Sequence, residues 1–123
     1  MKKSHIIKII LLFLCFGIIS CSDDSDNVIG YGNNEITGLI KDNYLVITNY
    51  SDVPIYYFAV DWGTSALINW APISEDENKI SPKQSMKKGV DEILGYAKGR
   101  EVIVYYWNTL EPTSESIKNI LVQ

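Results

Sequence analysis

The sequence predicts an all-β protein, a small single-domain antiparallel β-sandwich of about seven strands, preceded by a leader and a flexible tether. Three observations predict it. Beyond residue 34 the apolar residues come in short runs rich in Val, Ile, Tyr and Trp. Those runs are separated by Asn, Asp, Gly, Pro and Ser, which turns favour for their backbone and side-chain geometry. No stretch of helical length keeps an apolar period of 3.6.

The candidate strands cover residues 35–40, 44–48, 55–62, 66–71, 84–90, 101–108 and 117–122. Asp42-Asn43 makes a short turn between the first two, and Asn49, Ser51, Asp52 and Pro54 break the chain before the third. Gly63-Thr64 and Pro72 bracket the fourth; Lys98-Gly99-Arg100 precedes the sixth and Pro112-Thr113-Ser114 the seventh. Residues 114–118 also suit a short helix, because Ser114 can cap and Glu115 favours a first turn, but strand is preferred. The folded unit spans residues 35–123, enough for one modest core that buries roughly 60 to 65% of the unfolded surface.

The third and sixth strands carry the most aromatic rings. On the third, Tyr56, Phe58, Val60 and Trp62 share the face expected to be core, opposite Ile55, Tyr57, Ala59 and Asp61. On the sixth, Val102, Val104 and Tyr106 alternate with Ile103, Tyr105 and Trp107, and either set suits the core. With these strands paired, Tyr57, Tyr105 and Trp107 are the candidate ligand-binding residues, a flat patch able to stack sugar rings or anchor a protein. The bland role for these rings is packing beneath a loop or across strands, and Trp70 is expected to be a core or edge anchor.

Two acidic clusters stand out, residues 74–78 and Asp91-Glu92. Three adjacent acids do not reproduce the alternating oxygen spacing of a calcium loop, so solvated turns are expected, with no metal and no cofactor. Asn49-Tyr50-Ser51 fits an N-glycosylation pattern that the leader described below makes irrelevant. Nothing marks a pair of carboxylates for glycoside hydrolysis, and 89 residues can hardly enclose a cleft, so no enzyme is expected.

The first twenty residues read differently. A basic start, Met1-Lys2-Lys3, leads into an apolar stretch over 6–19 interrupted only by Lys8, too short for a membrane span of about 20 residues and laid out as a signal peptide. Ile18-Ile19-Ser20-Cys21 at its end resembles the lipobox of bacterial lipoproteins. The resemblance implies cleavage before Cys21, diacylglycerol on its sulfur and an acylated amino terminus, hence stable lipid anchoring. Cutting there removes Lys2, Lys3, Lys8, the single His5 and Cys15, and leaves 8 basic and 15 acidic residues, a net charge of -7. Internal disulfides, His-based or Cys-based zinc sites, His-dependent catalysis and nucleic-acid binding are thereby excluded.

Ser22, Asp23, Asp24, Ser25 and Asp26 follow the cysteine and resemble the signal by which some Gram-negative bacteria export lipoproteins to the outer face of the outer membrane. Residues 22–34 have too few apolar side chains to order themselves and read as the tether. The strand spacing of the remainder resembles an immunoglobulin or fibronectin type III sandwich. The antibody Cys pair is absent, and Tyr96 lies several residues ahead of where a tyrosine corner places its ring. A jelly roll or another Greek key stays open.

The expected protein is therefore a lipid-anchored, surface-exposed outer-membrane lipoprotein whose domain is a non-catalytic binding or accessory module for a glycan or protein. An inhibitor or immunity lipoprotein is the first alternative, since an acidic face suits a basic partner. A structural subunit of a surface assembly is the second, with residues 117–122 as the strand to inspect.

Overall fold

The computed structural model describes residues 31–123. The leader 1–20, the lipidation residue Cys21 and the export run Ser22, Asp23, Asp24, Ser25 and Asp26 lie outside the described residues. Among those described, no helix is long and apolar enough to cross a membrane.

Among the described residues, eight strands form two antiparallel four-stranded sheets. β1 (Tyr31–Gly32), β2 (Ile36–Lys41), β3 (Tyr44–Asn49) and β6 (Ser85–Gly89) build the first, in that order. β5 (Lys79–Ile80), β4 (Ile55–Asp61), β7 (Val102–Trp107) and β8 (Lys118–Val122) build the second. The β2–β3 hairpin closes through Asp42 and Asn43, both at positive φ (54° and 66°), the conformation whose twist matches the flanking strands. Six of the seven expected strands form within a residue or two of their expected bounds. β1 starts inside the stretch read as tether, where Tyr31 pairs with Gly38 and Gly32 with Thr37.

The expected strand over 66–71 does not form. Asp61 caps a single helical turn, α1 (Trp62–Ser65), by accepting from the Thr64 amide (2.9 Å) and hydroxyl (2.9 Å). The chain leaves α1 as an irregular segment that crosses the outer face of the second sheet. The short β5 takes the vacant place beside β4, pairing Ile80 with Ile55 and Lys79 with Tyr56.

The core lies between the sheets and holds Ile36, Leu45, Ile47, Ile55, Tyr57, Ala59, Val102, Val104, Tyr106, Ile120 and Val122. Burying each large aliphatic side chain contributes roughly 1.5 to 3 kcal/mol. This corrects the expected orientation of β4: the inward set is Ile55, Tyr57, Ala59 and Asp61, while Tyr56, Phe58 and Val60 point outward. Trp62 leaves the strand for α1 and is exposed. Smaller residues fit between sheets about 10 Å apart, and a covering segment supplies burial for the larger rings outside.

The sandwich is tightly closed on one side only. β8 packs against β1 and β2, and Gly38 permits it, because a Cβ there would come within 2.6 Å of Val122 Cγ2. On the other side β4 and β6 make no comparable contact. Residues 90–96 partly fill that gap: Ile93 is buried, Leu94 bridges Val60, and the Asp61 amide donates to the Leu94 carbonyl (3.0 Å).

Candidate binding groove

The outer face of the second sheet is aromatic because Phe58 of β4 lies directly across from Tyr105 of β7, and Tyr56 across from Trp107. Trp70, on the crossing segment, covers these rings, with its centroid 4.6 Å from Phe58, 4.7 Å from Tyr105 and 6.3 Å from Trp107. Such tilted pairs contribute about 0.5 to 1.5 kcal/mol each beyond burial. Trp107 is 2% exposed and donates from Nε1 to Ser74 Oγ (2.7 Å), which donates in turn to the Thr109 carbonyl (2.8 Å). The segment is thus pinned by one stacked ring and one hydroxyl.

The three aromatic residues singled out from the sequence do not make one flat patch. Tyr105 and Trp107 share the outer face, largely beneath Trp70, whereas Tyr57 belongs to the core face. Both Tyr57 and Trp107 nevertheless line a groove of about 410 Å³ at the open β4 edge, within the roughly 300 to 1,000 Å³ range of ligand sites. Its floor is β4 from Tyr57 to Ala59, and Trp70 forms part of one wall. Ile73 and Leu94, both more than half exposed, stand on its rim.

Charge around the groove is unbalanced. Glu75, Glu77 and Glu92 line it against the one ammonium of Lys88. Lys88 shares a strand face with Met86, which packs on the core, so its side chain starts from the inner side of an edge strand and reaches the opening. An inward lysine of this kind also discourages edge-to-edge association. The Tyr57 hydroxyl is held above its ordinary pKa by burial and then by the Glu92 carboxylate. Among the described residues it has no hydrogen-bond partner; the residue as a whole is only 6% exposed, but its hydroxyl oxygen reaches solvent.

The acidic loop that supplies two of those carboxylates is shaped by Asn78. Its Oδ1 accepts from the Glu75 amide (2.9 Å) and its Nδ2 donates to the carbonyls of Ile73 (2.7 Å) and Tyr57 (3.2 Å). A short 3₁₀ turn, Asp76–Asn78, results. The loop is docked onto β4, and Glu75 and Glu77 face the groove. Among the described residues no three His, Cys, Asp or Glu side chains gather as a metal-ligand set.

Two buried polar side chains are structural. Asp61 accepts from Arg100 Nε (2.8 Å) and Nη2 (2.9 Å) as well as from Thr64. Burial acts to raise its pKa, but the Thr64 amide and hydroxyl and the Arg100 guanidinium outweigh it, and the carboxyl sits below its ordinary value. Asn49 is fully buried, its Nδ2 donating to the carbonyls of Val53 (2.8 Å) and Ile80 (3.0 Å) and its Oδ1 accepting from Ser51. The Asn49-Tyr50-Ser51 pattern is therefore a knot joining β3, the following loop and β5.

A second cavity, of about 260 Å³, lies between the 50–54 loop and the 108–117 loop. Its polar lining includes Lys118 and Glu35, which pair with each other (3.1 Å), so it presents less uncompensated charge than the groove. Phe58, Trp70 and the three glutamates are the groove residues that strand reasoning missed. The signal was available in Trp70 and the acids five to seven residues later, but only the crossing path of 66–78 brings them together.

Comparison with protein-family models, with curated proteins and with solved structures finds no match.

Proposed function

We propose that this protein is a lipid-anchored outer-membrane lipoprotein, displayed at the cell surface, whose β-sandwich is a non-catalytic binding module for a protein partner. The observation that carries the binding role is the groove beside β4, where Trp70 and three carboxylates surround the side chain of Tyr57, whose unpartnered hydroxyl is open to solvent. Anchoring rests on the lipobox residues ending at Cys21 and the acidic run behind it. Of the two ligand classes expected, protein is favoured over glycan because Trp70 occupies the aromatic face on which sugar rings would stack.

The sheet order supports an immunoglobulin-like arrangement. β2, β3 and β6 take the positions of strands A, B and E, and β4, β7 and β8 those of C, F and G. Such sandwiches present binding surfaces on a rigid frame, which suits a module held away from the membrane by a tether. The carboxylate rim also favours the inhibitor or immunity reading as a special case, with a basic toxin or hydrolase as the partner.

A photo-crosslinking residue placed at Ile73 or Leu94 of the full chain in cells should give a discrete protein adduct, and one at Leu121 on the far side of the sheet should not. Equal adducts from all three positions, or none, would remove the binding role. Separately, Cys21→Ser should move the protein out of the membrane fraction; retention there would contradict the anchor.

A further inference from the structure

We infer that the groove beside β4 receives a single cationic side chain, arginine or lysine, from an extended or looped segment of the partner. The inference rests on the protein-binding reading above and names the chemistry of its anchor. Three independent features converge on it. Glu75, Glu77 and Glu92 set net negative charge at the opening, with Lys88 the one opposing group among the lining residues. Trp70, only partly buried where it lines the groove, supplies aromatic surface against which a flat guanidinium or an ammonium is held electrostatically. Tyr57 as a residue is only 6% exposed, but its hydroxyl, without a described partner, opens to solvent and provides an acceptor in the groove lining.

The charge balance selects this occupant over the others available. Residues 22–34 of the same chain contain Asp23, Asp24 and Asp26 and no Lys or Arg, so they cannot supply the cation. A second copy would bring its own acidic groove and, once cut before Cys21, a net charge of -7 toward the first, which opposes association. A partner with a basic surface gains from the same field, in both rate and orientation. The apolar rim of Ile73 and Leu94 then suits the methylene stem of the inserted side chain.

The test uses the full chain in detergent, titrated with N-acetylargininamide, N-acetyllysinamide and the neutral isostere N-acetylcitrullinamide while Trp emission is followed. The cations should saturate with affinity at least about tenfold above the isostere, and raised salt should narrow that gap. Combining Glu75→Gln, Glu77→Gln and Glu92→Gln, all at exposed positions, should erase the preference without moving the unfolding midpoint, and Tyr57→Phe should weaken binding about threefold. Equal affinity for citrullinamide, absence of saturable binding, or an unchanged preference in the triple variant would overturn the inference. If crosslinks from positions 73 and 94 persist while the cation preference is missing, the binding module stands and the cationic anchor falls; if the crosslinks fail as well, both fall.

Discussion

The sheet β1-β2-β3-β6 buries one face, and the sheet β5-β4-β7-β8 buries two. In the first, β3 alternates cleanly, with Leu45, Ile47 and Asn49 buried and Val46 and Thr48 only partly covered. In the second, six of the seven residues of β4 are buried. The difference comes from the 66–78 segment, which roofs the outer face with Trp70. Antiparallel sheets commonly leave one face to solvent, so a roofed one holds a second, smaller core. That second core shapes the groove, and the plainer sheet serves as its support.

The comparison is broken most severely by removing the centre of the second core. Trp107→Ala should cost about 3 to 5 kcal/mol in chemical denaturation, because it empties the space beneath Trp70 and leaves Ser74 without its donor. Val46→Ala, on the outer face of the first sheet, should cost under about 1 kcal/mol. Equal losses would mean that the crossing segment contributes no real burial.

Next in size is Arg100→Ala, expected to cost about 2 kcal/mol: it strips charge-assisted bonds from the buried Asp61, discounted because the guanidinium is half exposed. The pH dependence follows from the lowered carboxyl. Asp61's contribution is fully present above the unfolded value of about 3.9 and is lost as pH falls through the lower folded value. In the variant the folded value rises, so thermal midpoints measured across the acid range should begin to fall at a higher pH than in the parent. An unshifted acid limb would show that Thr64 alone holds the carboxylate ionised.

The same contrast accounts for what the sequence made legible. Turn residues marked the ends of β2, β3, β6, β7 and β8, since local backbone chemistry decides those points. Period-two reasoning identified β4 and β7 as strands but misassigned the inner face of β4, because both faces are buried and the larger rings face outward. Residues 66–71 look like a strand by composition, yet the Asp61 cap turns the chain into α1, a decision made by one side chain and Thr64. β1 and β5, at two residues each, offer too short a pattern to detect. Tyr57, Tyr105 and Trp107 were expected on one flat patch, but Tyr57 lies on the face opposite the other two, and Tyr57 and Trp107 both border the groove only because one side of the sandwich stays open. Gly38 and Val122 contribute to that by letting β8 close the other side.

The finest test deletes one hydroxyl from each sheet. Ser74→Ala removes the acceptor of the buried Trp107 Nε1 and the donor to Thr109, so a desolvated N–H is left unpaired, at about 1 to 3 kcal/mol. Thr48→Val removes a bond of equal length, 2.7 Å to Ser85 Oγ, but on an exposed face where water replaces it, and valine keeps the strand preference. Its cost should stay within about 0.5 kcal/mol by denaturant titration. The two bonds have the same length, so the difference between the variants measures how dry the roofed face is. Equal small losses would place water beneath Trp70 and make the segment a loose flap over the sheet; a large loss confined to Ser74→Ala would identify a packed second core that holds the groove's carboxylates in place.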